Sequence, residues 1–137
     1  MADLAITAAQ VLPSTNARFQ GGDAGEALTA GTSAYKKSTD HKWYKADADA
    51  QETAEASGVV VCDAALGQRV VVQDDGDLVV GAAAAPVVGE TYVVSAAAGK
   101  IAPIADLTTG KYVTHLGVGK TGNKIALHVH PSRTQKA

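Results

Sequence analysis

The sequence predicts a mainly β fold: a small antiparallel β-sandwich or barrel with one short helix and an extended N-terminal arm. Three observations carry that expectation. From Gly25 onward, short runs rich in Val, Ile, Thr and Tyr are separated by Gly, Asp or Asn turn signals. Those signals recur about every ten residues, the spacing of antiparallel β folds. Only one stretch, residues 47–56, carries helix-favouring Ala, Gln and Glu.

The 137 residues fit one domain, divided here into an arm of residues 1–24 and a β-rich unit of residues 25–137. Pro13-Ser14-Thr15-Asn16 and Gly21-Gly22 break any regular period in the arm. Leu4, Ile6, Val11, Leu12 and Phe19 are its candidate docking points. Next, Ala34-Tyr35-Lys36-Lys37 and Lys42-Trp43-Tyr44-Lys45 flank the polar tip Ser38-Thr39-Asp40-His41, a hairpin in which Trp43 is the expected core anchor. The helix at 47–56 is expected to be capped by Asp47 or Asp49 and closed by Gly58. Val59-Val60-Val61-Cys62 then forms a strand, followed by a turn at Ala65-Leu66-Gly67. Asp75-Gly76, between the runs 69–73 and 77–80, reads as a tight hairpin, because Gly accepts the positive φ such turns require. Strands at 91–95, 100–104, 111–118 and 124–130 complete the series, with turns at Ala98-Gly99 and from Gly119 to Asn123.

Composition narrows the function. Of the hydrophobic residues, 27 are Ala, against one Phe, one Trp, one Met and four Tyr. Alanine buries little apolar area, so the core is thin and gains from burial against further copies or a partner. A net charge of −2, with a single short basic stretch at Arg133 to Lys136, gives no basic face for nucleic acid. No apolar run approaches a membrane span, and Met1 to Gln10 lacks a leader pattern, so a soluble, unexported chain is expected. Cys62 is alone and reads as a small buried hydrophobe, without a disulfide partner in the chain.

Several strings imitate chemical motifs. Gly117-Val118-Gly119-Lys120-Thr121 resembles the end of a phosphate-binding loop, but its first Gly would fall at Thr114 and a β run follows instead of a helix. A hairpin turn accounts for it. His128 and His130, two apart on a strand, would share a face, yet a metal site needs further ligands that only symmetry copies in an oligomer could add. His41 and His115 are too distant in the chain to assign. Asp47, Asp49, Glu52 and Glu55, and Asp74, Asp75 and Asp77, lack the closing Glu of a calcium loop. Ser14, Ser33, Ser38 and Ser57 lie in no nucleophile elbow. The expectation is no enzyme, no cofactor and no metal.

Three blocks together resemble the bacteriophage head-decoration, or capsid cement, family. They are Gly25-Glu26-Ala27-Leu28-Thr29-Ala30-Gly31 leading to Tyr35; Gly58-Val59-Val60-Val61 with Gly67-Gln68-Arg69-Val70-Val71-Val72 and Gly76; and Gly89-Glu90-Thr91-Tyr92-Val93-Val94-Ser95 with Gly99-Lys100-Ile101-Ala102-Pro103 and Leu116-Gly117-Val118. The resemblance covers about Gly25 to Leu127 and rests on Gly-spaced β turns. It implies a virion protein, made in the host cytoplasm, that binds the outside of the assembled capsid. It would act as a homotrimer that clamps neighbouring major capsid subunits. Leu12, Arg18 and Phe19 of the arm are the expected capsid or protomer contacts. The alternative is a tail-associated adhesin or glycan-binding β module, with Trp43 and Tyr44 exposed at a hairpin tip.

Overall fold

A computed structural model describes residues 3–136. The chain is mainly β, a single curled antiparallel sheet of ten strands. These are β1 (Leu12–Pro13), β2 (Arg18–Asp23), β3 (Ser33–Lys36), β4 (Trp43–Lys45), β5 (Gly58–Val60), β6 (Arg69–Val79), β7 (Thr91–Val94), β8 (Ile101–Pro103), β9 (Tyr112–Lys120) and β10 (Lys124–Gln135). The main path runs β4-β3-β5-β6-β10-β9-β7-β8, and β1 and β2 both pair with β6.

The sheet turns on β6, where the structure departs from the expected hairpin. Residues 69–79 form one continuous strand through Asp75-Gly76. Arg18 lies opposite Asp75 and Phe19 opposite Gln73, so Asp74 is an extra residue in β6. An extra residue shifts the two-residue alternation by one and turns the following side chains to the other face. Before the bulge, Val72 pairs with Val60 inside one core cluster, and Gln73 pairs with Val59 of the other. After it, the even-numbered Leu78 pairs with Ile125, and both belong to the cluster that contains Val59. One strand thereby supplies apolar side chains to two cores.

The kink is held by identifiable groups. Gly76 adopts φ 88°, and a Cβ there would lie 2.4 Å from the Asn16 carbonyl oxygen. Its N–H donates to Asp75 Oδ1 at 2.7 Å. The fully buried Gln73 donates through Nε2 to the carbonyls of Asp75 and Asp77, at 3.1 and 3.0 Å. Backbone acceptors displaced from regular pairing are thus satisfied from within the same strand.

One core fills a small closure made by β2, β6, β5, β3 and β4, whose ends meet at the bridge Ala24↔Trp43. Trp43 is fully buried there with Leu28, Val60, Val70 and Val72, as its role of core anchor requires. Gly22 lies against the indole, and a Cβ at that position would sit 2.5 Å from Nε1. The larger core gathers Tyr92, Ile101, Leu116, Ile125 and Leu127 from the other strands.

The helix is shorter than expected, Gln51–Ala54 only, with Ala50 as N-cap and no side-chain cap. Residues 46–48 are committed elsewhere: the Ala46 N–H bonds to Ser33 and that of Ala48 to Ser95. Asp47 instead accepts from Thr53 Oγ1 and the Asp49 N–H, both at 3.0 Å. In the arm, Leu4, Ile6 and Val11 pack against the larger core.

Gly67 and Gly76 both have positive φ, 85° and 88°, but nothing lies within 4 Å of a Cβ at Gly67. Gly67→Ala is therefore expected to cost only the left-handed backbone term, about 1 kcal/mol. Gly76→Ala adds the collision with Asn16 and should cost at least about 2 kcal/mol. Urea unfolding of both variants checks the difference.

Candidate docking edge

β1 and β2 run along one side of β6, joined by the loop 14–17 that nests on Gly76. Val72 is flanked by Gln20 of β2 and Val60 of β5, so β2 lies on the side of β6 opposite β5. Among the described residues, β2 pairs with no strand but β6. Its outer backbone edge is unpaired from Arg18 to Asp23, up to the Ala24↔Trp43 bridge that closes the small core, and such edges accept added strands. Pro13, which cannot donate to a ladder, sits in β1 where an edge tolerates it.

The structure separates the expected contact residues. Leu12, opposite Val79, is 63% exposed, and Phe19, opposite Gln73, is 48% exposed. Their partners on β6 are six positions apart, about 20 Å along the strand, so they form two apolar points and not one patch. Phe19 shares its face with Gly21 and, across the ladder, with Val71, which Gly21 leaves uncovered.

Arg18 belongs to a polar cluster. Its Nε and Nη2 donate to Asp74 Oδ1 and Oδ2 at 2.9 and 3.3 Å, and Gln20 Nε2 donates to Oδ2 at 2.7 Å. Burial works against the charged form of Asp74. The hydrogen bonds from Arg18 and Gln20, with the charge of Arg18, outweigh it and hold the carboxyl below its ordinary pKa. The same contact raises the pKa of the guanidinium.

The remaining candidates resolve into structural roles. Gly117 to Thr121 is the end of β9 and the start of a turn, with Lys120 Nζ 2.8 Å from Asp77 Oδ2. Gly119 is required by close packing, since a Cβ would lie 2.0 Å from the Val87 carbonyl oxygen. Lys111 pairs with Asp49, Arg133 with Glu55, and Ser38 donates to Glu52 at 2.8 Å. His128 and His130 are both exposed, but a bulge between Leu127 and His130 interrupts the alternation that was expected to align them. His130 instead lies opposite His115, and His128 opposite Asp75. Among the described residues, no three His, Cys, Asp or Glu side chains are grouped to hold a metal ion. No described helix is long and apolar enough to cross a membrane.

Cys62 corrects an expectation: it is exposed. β5 ends at Val60, and Cys62 lies beyond it in the turn where Asp63 accepts the Ala30 N–H at 2.9 Å. The folded protein should therefore release one equivalent of chromophore per chain from a thiol-reactive disulfide reagent without denaturant. A thiol that reacts only after unfolding would contradict this placement.

Asp74 has a depressed pKa in the folded state, so the stability it adds is present above the unfolded value of about 3.9 and is lost as pH falls through the folded value. Asp74→Asn should be less stable than wild type by about 1 kcal/mol at neutral pH, a surface-pair magnitude. The two stabilities should converge in acid, as thermal unfolding at a series of pH values will show. No protein-family model matches the chain, and no curated protein matches it.

Proposed function

We propose that this chain is a structural virion protein that binds the outer surface of an assembled phage capsid and stabilises it by clamping neighbouring major capsid subunits. The observation that carries the reading is the open β2 edge, with Phe19 and Leu12 presented outward from a rigid sheet. The resemblance of the Gly-spaced blocks to the head-decoration family supports it. Five of those glycines, Gly31, Gly67, Gly76, Gly89 and Gly99, have positive φ.

The physical task suits such a module. A contact through one strand edge and two apolar points is weak alone. Repeated on a lattice, and doubled or trebled when protomers associate, such contacts multiply through effective concentration. A homotrimer at local threefold positions would supply that linkage, with the thin alanine-rich core gaining from the added burial.

The adhesin alternative rested on exposed aromatics at the 38–41 hairpin tip. Trp43 is fully buried, and the Tyr44 hydroxyl donates to Asp40 at 2.6 Å. That reading loses its principal sugar-stacking residue.

The test uses purified heads that lack this protein. Wild type should bind them and raise the temperature at which they rupture. Phe19→Asp and Leu12→Asp, both at exposed positions, should retain the folded spectrum and lose at least about tenfold in head affinity, a hot-spot-sized effect. Full binding by the two variants together would remove the edge from the interface. Failure of wild type to bind any head would remove the capsid reading itself.

A further inference from the structure

Two register breaks fall at the same point of β9, and together they choose the neighbours of His115. On the β10 side, Leu127 lies opposite Gly117, and the ladder carried on unchanged would set His130 opposite Thr114, whose side chain is buried. The break sets it opposite His115 instead. On the β7 side, Tyr92 lies opposite Gly117 and Val93 opposite His115, so Leu116 is an extra residue there. Bulges re-aim side chains and are enriched beside functional sites. Here they pair two histidines that no period of the sequence would align.

Residues directly opposite in an antiparallel pair share a face, with Cβ atoms about 5 Å apart. His130 is exposed and His115 half-buried, so solvent reaches both. The His115 ring is also held in place: its Nδ1 lies 3.1 Å from the carbonyl oxygen of His128. A carbonyl can only accept, so in the neutral ring Nδ1 carries the proton and Nε2 keeps its lone pair. Among the described residues, no hydrogen bond occupies that Nε2 or either ring nitrogen of His130. Metal-ligating histidines are oriented in this manner, with the other ring N–H donated to a backbone carbonyl that fixes both tautomer and ring plane.

We propose that His115 and His130 chelate a divalent transition-metal ion of the zinc, copper and nickel class, through Nε2 of His115 and one ring nitrogen of His130. Imidazole suits these ions, whereas magnesium and calcium select oxygen ligands. Metal–nitrogen bonds of about 2 Å are within reach of two rings carried on Cβ atoms so close. No third His, Cys, Asp or Glu side chain among the described residues joins them, so water completes the coordination and the ion exchanges freely. His128, the neighbour that the alternation of a strand would offer as partner to His130, contributes its carbonyl to the site and not its ring. The assignment does not depend on the capsid reading.

The experiment is an NMR titration of the full chain with zinc chloride in a non-chelating buffer at pH 7.5, following the histidine ring signals. Those of His115 and His130 should move together and saturate at one zinc per chain, and magnesium chloride should leave them in place. Before zinc is added, long-range nitrogen–proton correlations should show His115 protonated at Nδ1. His115→Ala and His130→Ala should each weaken binding at least about tenfold, because the second imidazole binds intramolecularly. His130 is exposed, so its variant keeps the fold. His128→Ala retains the backbone carbonyl and should bind zinc as wild type does. Undiminished binding by His130→Ala, equal movement of the His41 ring, or a His115 ring protonated at Nε2 alone would overturn the site. Saturation at one zinc per two chains would overturn the chelate within one chain, and loss of binding in His128→Ala would assign the metal to the wrong pair here.

Discussion

The kink in β6 is the constraint on which the rest of the architecture depends. A straight eleven-residue strand would keep its even-numbered side chains on one face throughout. Val70 and Val72 would then share a core with Leu78, and the cluster around Trp43 would merge with the one around Ile125. The extra residue Asp74 prevents this by moving the alternation one step. Gly76 supplies the backbone geometry, and Gln73 satisfies the carbonyls that the bend displaces. That solution has a residual cost. Among the described residues, Gln73 Oε1 is buried without a partner, as is Trp43 Nε1, and orphaned buried polar atoms destabilise by about 1–3 kcal/mol each. The fold tolerates both because each sits on a side chain that organises a core.

Alanine and glycine make the small cores possible. Ala24, Ala34 and Ala64 allow neighbouring backbones to approach around Trp43, and Gly22 lets β2 pass directly over the indole. The composition that looked like a weak core is also a closely spaced one. Each alanine contributes little transfer energy, but strands drawn together over one large aromatic keep it wholly from water. The same economy leaves little apolar surface to cover the outside of β2, which is why Phe19 and Leu12 remain exposed.

The mainly β character was legible because it depends on local signals, namely β-branched runs and the glycines between them. The hairpin at residues 34–45 was legible for the same reason, and so was the role of Trp43. The errors share a different cause. Asp75-Gly76 is a good turn sequence, and Gly76 does adopt the positive φ a turn needs, yet flanking strands on both sides of β6 keep the chain in one strand that kinks there without reversing. Residues 46–48 have helical propensity but donate to distant carbonyls, so tertiary hydrogen bonds set where the helix starts. Cys62 follows three valines and still lies outside, because β5 ends two residues earlier. At the candidate edge, the chain showed that Leu12, Arg18 and Phe19 were available. It gave no sign that Arg18 would meet Asp74, or that Arg133 would meet Glu55, since neither pairing has a local cause.

The open edge also bears on how such a module binds without first associating indiscriminately. Natural sheets protect free edges with charge, proline, bulges and short strands. All four are present here: Arg18 and Asp23 at the two ends of β2, Pro13 in β1, the bulge at Asp74, and a break at residues 14–17 that divides the edge into two short strands. A passing strand from an arbitrary chain would find six pairable residues at most, bounded by charge. A surface that matches the spacing of Phe19 and Leu12 would gain both apolar contacts as well as the backbone ladder, from two positions already set in strands of one sheet. Preorganisation of that kind lowers the entropic cost of association. On the proposed reading, specificity would lie in the distance between two points that the β6 kink itself determines.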